Sequence, residues 1–147
     1  MSTISKPIFN WHCISTWKQS AYNTLWCLIG CSIGDFGTIY YFQITNSSLN
    51  TLSIMTLAII NGIITSIILE TIILLKKMQL IAAFKTALGM SLISMISMEI
   101  AMNSVDYFII GKAYINLYII PLMLFAGFVT AWPYNYWRLK KYNLSCH

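Results

Sequence analysis

The sequence is poor in charge. Asp, Glu, Lys and Arg together make up 9% of its 147 residues, against about 25% in an ordinary soluble domain. A chain with so few ionised side chains cannot cover a globule with groups that water solvates. With 58% hydrophobic residues and a mean hydropathy of +0.69, the solvent that suits it is the bilayer. The net charge of +5 does not point to nucleic acid. The basic residues sit at the edges of apolar runs, and no basic stripe is interleaved with base-stacking aromatics. Lysine and arginine flanking apolar runs are what membrane orientation requires.

Other absences narrow the reading further. There is no Walker loop, dinucleotide fingerprint, H-E-x-x-H motif or catalytic triad, so the expectation leans away from an enzyme. No repeat of 20–50 residues is present, which excludes a solenoid. The cysteines, Cys13, Cys27, Cys31 and Cys146, form no close-spaced disulfide framework. The first apolar run starts late, carries Asp35 and lacks a small-x-small cleavage site, so no cleaved leader is expected.

What the chain does have is four apolar runs, roughly 21–44, 52–75, 81–103 and 114–137. Each is near the ~20 residues that cross ~30 Å of hydrocarbon as a helix. The links are polar or basic: ITNSSLN at 44–50, KKMQL at 76–80, and 104–113 with Asp106, Gly111 and Lys112. Short links imply antiparallel neighbours. Helices satisfy their own backbone groups in lipid. The expected fold is therefore all-α, an integral membrane four-helix bundle. It comprises an N-terminal segment (1–20), a membrane domain (21–137) and a C-terminal tail (138–147).

Charge orients the bundle. Lys6, Lys18, Lys76, Lys77, Lys85, Arg138, Lys140 and Lys141 fall on one side and Lys112 alone on the other. By the positive-inside rule both termini are cytoplasmic, and the chain belongs in the cytoplasmic membrane. Trp11, Trp17, Trp132, Trp137 and Tyr142 then lie at the inner boundary, with Tyr40 and Tyr41 at the outer one.

Three carboxylates fall within the apolar runs: Asp35, Glu70 and Glu99. An ionised carboxylate near the bilayer centre costs at least ~2.5 kcal/mol. Glu70 is close enough to the inner end to pair with Lys76 or Lys77. Asp35 lies about 14 residues into the first run and Glu99 about 18 into the third, which puts them at one level within about a helical turn. They can share a proton or a cation, or join a structural hydrogen bond with Asn103, Asn61 or a tyrosine. Cys27, Cys31 and Asp35 are spaced i, i+4, i+8 and share a helix face, beside the close-packing signal Gly30-x-x-x-Gly34. Ser91, Met95, Met98 and Met102 make a second face, with Glu99 beside it. Thiol and thioether donors favour Cu(I), with zinc second. The same residues also serve as adaptable packing. Trp11-His12-Cys13 and Cys146-His147 offer a weaker set of zinc or copper donors at the termini. Pro133 and Asn135 fall near the end of the last run, where the proline frees the carbonyl of Val129.

The order of these features resembles a family of small prokaryotic membrane proteins catalogued as a domain of unknown function. The resemblance is carried by Trp17-Lys18, Asn23-Thr24 and the run Cys27-Leu28-x-Gly30-Cys31-x-Ile33-Gly34-Asp35. It continues in Met98-Glu99 with Asn103, and in Pro133-x-Asn135-x-Trp137, covering roughly residues 17–140. The family's usual histidine before the first cysteine is Trp26 here, which removes one candidate ligand. Its usual glutamate after Gly34 is Asp35. The resemblance implies a four-helix membrane fold and no particular reaction.

Three functions compete on this reading. The first is handling of a metal ion, copper favoured, or of another cation, through Cys27, Cys31, Asp35, Met95, Met98, Glu99 and Met102, with Asn103 and Asn135 as supporting polar groups. The second is an accessory subunit of a larger membrane complex, or a homo-oligomer. The third is a membrane enzyme that transfers protons through Asp35 and Glu99. The expected partners are the lipid bilayer and other membrane subunits.

Overall fold

The computed structural model describes residues 11–141, leaving aside the side chain of Met90. These residues form four long helices and no strand: α1 (Ile14–Ile44), α2 (Thr51–Leu74), α3 (Leu80–Ile110) and α4 (Ile120–Lys141). Helices consecutive in the chain pack together, α4 closes back on α1, and α1 touches α3 across the centre. Three helical segments, Ile14–Ile44, Thr51–Leu74 and Ser91–Ile110, are long and apolar enough to cross a membrane.

α4 does not meet that requirement, which narrows the expectation of four crossings. Its second half carries Pro133 and Asn135, and its last turn carries Arg138, Lys140 and Lys141. The helix boundaries also differ from the apolar runs. α1 begins at Ile14, before its apolar run, where Trp17 packs against Trp132 and Tyr136 of α4. At 31 residues it is about 46 Å long at 1.5 Å per residue. α3 runs on to Ile110, through the stretch expected to be a link. It stops at Gly111, which takes a left-handed φ of 77° and donates its N–H to the Tyr107 carbonyl, a conformation glycine adopts without steric cost. The connection is therefore 111–119, and α4 starts six residues later than its apolar run.

The molecule is apolar outside and polar within. Along α2, Ile60, Ile64, Ile68 and Ile72 are exposed, while Ala58, Gly62 and Ser66 are buried. Small inward residues let the helices approach closely. A Cβ on Gly30 would stand 2.6 Å from the Ser66 Cα, and one on Gly34 would collide with the Asn61 backbone carbonyl. Thr65 Oγ1 donates to the Gly30 carbonyl at 2.6 Å, and Ser66 Oγ donates to that of Cys27 at 3.2 Å. The α1–α2 seam is thus backbone against backbone. The α3–α4 seam differs: Met98 and Met102 fill the space opposite Gly127.

An aromatic plate joins the start of α1 to the end of α4. Trp17 stacks on Tyr136 at 4.1 Å between centroids and meets Trp132 edge-on at 5.2 Å. Trp132 Nε1 donates to the Trp17 carbonyl at 3.2 Å, and the Cys13 N–H donates to the Tyr136 hydroxyl at 3.3 Å. The start of α1, the end of α2, the start of α3 and the end of α4 share this end of the molecule. It carries Lys18, Lys76, Lys77, Lys85, Arg138, Lys140 and Lys141, and we call it the basic end.

Candidate functional site: a file of buried polar groups

α1 and α3 present their polar residues inward at helical spacing, and these line up along the molecule. Nearest the far end, Asn103 bridges the two carboxylates singled out by depth. Its Nδ2 donates to Asp35 Oδ1 at 3.2 Å and lies 3.5 Å from Glu99 Oε2, while also donating to the Glu99 backbone carbonyl at 3.1 Å. All three residues are buried. The Glu99 carboxyl occupies a notch that exists because Gly62 has no side chain: a Cβ there would strike Glu99 Oε1 and lie 3.0 Å from the Cys31 carbonyl. Of the partners considered for the carboxylate pair, Asn103 is the one that bridges it; Asn61 instead donates to Thr38 Oγ1 at 2.8 Å.

Asp106, read from the sequence as part of a link, is fully buried on α3. Glu99, Asn103 and Asp106 follow i, i+4, i+7 and share one face. Asp106 Oδ2 accepts the Tyr114 N–H at 3.3 Å, and Gln43 Oε1 accepts that of Ile115 at 3.1 Å. Together they strap the 111–119 connection onto the helices.

Midway along the file Cys27 and Cys31, one turn apart on α1, are buried in one cluster. Both cysteines are free. Ser66 Oγ sits 3.5 Å from Cys27 Sγ. Cys27, Cys31, Met95, Met98 and Met102 belong to one buried cluster, so the two soft-donor faces do meet. They do not make a single cage. Cys27 and Asp35 are eight residues apart, about 12 Å along a helix, and Met98 and Met102 turn toward α4. Among the described residues no three of His, Cys, Asp and Glu converge to hold a metal. Cys146 and His147 lie outside the described residues, and Cys13 is disulfide-bonded, which corrects its reading as a metal donor.

Toward the basic end, Glu70 Oε1 accepts from Ser91 Oγ at 2.6 Å, and Ser91 Oγ accepts from Arg138 Nη1 at 3.3 Å. The expected pairing of Glu70 with Lys76 or Lys77 is thus replaced by an internal relay to a buried arginine. One turn earlier on α4, Asn135 Nδ2 donates to Thr24 Oγ1 at 2.7 Å. A cavity of 380 Å³ opens here, bounded by all four helices, with Glu70, Arg138, Lys77, Trp26 and Cys27 in its wall. Neither the relay nor the cavity was visible in the sequence. Their one available signal is that Asn135 and Arg138, three apart, share a helix face.

The chemistry of the file is one-sided. Asp35 Oδ2, Glu70 Oε2, Glu99 Oε1, Asn103 Oδ1, Asp106 Oδ1 and Asn135 Oδ1 are buried acceptors with no donor among the described residues. Native interiors leave few such groups unmet.

No curated protein and no solved structure matches the chain. A family model does, over residues 16–143: DUF4396, a domain of unknown function. That span takes in all four helices and every residue of the polar file, and the chain is therefore a member of the DUF4396 family.

Proposed function

We propose that the protein handles a cation by passing it along the polar file of a four-crossing helical bundle, in the cytoplasmic membrane with both chain ends inside. The observation that carries this reading is the excess of buried acceptors over donors. Each unmet acceptor costs about 1–3 kcal/mol in a dry interior. Six of them sit on the inward faces of the helices, where a proton or metal cation would satisfy them. Asp35 and Glu99 form the strongest cation station, because one amide serves two carboxyl groups. Cys27, Cys31 and the buried methionines make copper(I) the favoured metal, with zinc second. The donors are spread along the axis, which suits successive weak stations rather than one tight resident ion.

Cation uptake into vesicles containing the purified protein tests this, with protons and Cu(I) followed separately. Elemental analysis of protein purified without chelators tests retention of metal. Uptake is expected to vanish in the Asp35→Asn, Glu99→Gln double variant. Uptake of both ions indistinguishable from that of empty vesicles would dismiss the proposal.

A second reading, an accessory subunit of a membrane complex, is favoured by one observation. A groove of 550 Å³ runs outside the α1–α2 seam past Gly37 and Asn61. Asn61 is exposed there, and beyond its bond to Thr38 Oγ1 lipid offers its amide no further partner. A strictly monomeric particle after gentle extraction would count against this reading.

A further inference from the structure

We propose that the Cys27–Cys31 pair is a two-sulfur site for a thiophilic monovalent d10 cation, loaded through the cavity at the basic end. The inference deepens the cation reading and rests on it. It assigns a binding site, an entrance and a ligand class to residues that the carboxylate station does not use.

Three independent features support the assignment. The first is the pairing of the thiols. Residues four apart on a helix project side by side, and these two are free thiols buried in the same cluster. Linear two-sulfur coordination needs no third Cys, His or carboxylate, so the lack of a three-residue metal group among the described residues does not count against it. The second is access. Cys31 is fully buried, whereas Cys27 forms part of the wall of the 380 Å³ cavity. An ion entering from the basic end meets Cys27 first. The third is charge. Binding breaks two S–H bonds, forms two metal–sulfur bonds and releases two protons to water in the cavity. A monovalent cation held by two thiolates leaves a complex of charge −1. Arg138 and Lys77 are in the cavity wall with one carboxylate, Glu70, so the charged groups there are positive on balance. Positive side chains that would repel a free cation stabilise this anionic complex. Met95, in the same buried cluster, is a further soft donor near the pair.

The test uses the full chain carrying Cys13→Ser and Cys146→Ser, so that Cys27 and Cys31 are the remaining thiols. Under reducing, anaerobic conditions it is titrated with Ag(I), a redox-inert probe, and with Cu(I). Binding is followed by the metal–thiolate absorption in the ultraviolet. One ion per chain is expected, abolished by Cys27→Ser and by Cys31→Ser. Arg138→Gln should weaken binding by about 10-fold, the effect of losing a group that supports a ligand. A membrane-impermeant thiol reagent should label Cys27 and spare Cys31. Bound Ag(I) should protect Cys27, and Asn23→Trp, which narrows the cavity, should slow labelling while leaving the stoichiometry of bound ion unchanged. Binding that survives Cys27→Ser overturns the proposal. So does labelling of Cys27 that Ag(I) does not block. The carboxylate station is judged separately, by uptake in the Asp35→Asn, Glu99→Gln variant, so either idea can fail alone.

Discussion

The two ends of the polar file solve the same problem differently. At the basic end a carboxylate, Glu70, is linked through Ser91 to Arg138, so its charge has a cationic counterpart within the protein even though its Oε2 stays unmet. At the far end Asp35, Glu99 and Asp106 share one amide side chain and one backbone N–H, with no cationic side chain in the hydrogen-bond network among the described residues. A self-balanced end is a structural element that also shapes a cavity. An end without a cationic partner is where the proposed reading places the ion. On the proposed reading, cation handling belongs to the far end and support of an entrance to the basic end.

Mutations can sharpen this contrast. The largest effect is expected from Asp35→Asn with Glu99→Gln. Amide donors replace unmet acceptors, so cation uptake should fall to background. Resistance to unfolding in detergent should hold or rise, as each newly met group is worth about 1–3 kcal/mol. Ser91→Ala should do the reverse at the other end. It leaves Glu70 and Arg138 without their shared hydroxyl, and equilibrium unfolding should show a loss of about 2 kcal/mol. Gly62→Ala should cost about as much stability, because its Cβ meets the end of the Glu99 side chain, which can shift, and also stands 3.0 Å from the Cys31 backbone carbonyl, which cannot shift as easily. It should also depress uptake, by displacing the Glu99 carboxyl from its notch. The smallest effect is expected at Gly127→Ala. Its Cβ meets Met102 Cγ and Sδ at 2.8 and 3.0 Å and Met98 Cγ at 3.0 Å, and methionine side chains yield easily. A stability loss under about 1 kcal/mol with unchanged uptake is expected. If Gly127→Ala instead abolished uptake, the α3–α4 seam would belong to the working path and the contrast between the ends would be wrong.

Much of this was legible in one dimension. Helical spacing placed Cys27, Cys31 and Asp35 on one face, and depth counting put Asp35 level with Glu99. Asn103 was among the partners considered. Gly30 and Gly34 announced the close seam with α2. The rest depended on how the helices rotate about their axes. α2 and α3 are apolar on most sides, so hydropathy alone does not say which face turns inward. That is why Ser91 and Arg138 were not recognised as partners of Glu70. Asp106 was misplaced because polarity suggested a link where the α3 backbone keeps its hydrogen bonds as far as Gly111. The cavity could not be read at all, since it arises where four helices fail to fill a common space.

The aromatic plate has a consequence for biosynthesis. Trp17 near the beginning of the described chain is held by Trp132 and Tyr136 near its end, so the ring of helices closes only when the last helix has been made. Until then the inward faces of α1 and α3, with Asp35 and Glu99, lack part of their cover. A ribosome-bound chain ending before residue 130 would present intramembrane carboxylates to lipid or to the insertion machinery. The order of synthesis thus leaves the polar interior unsealed until the final step of assembly.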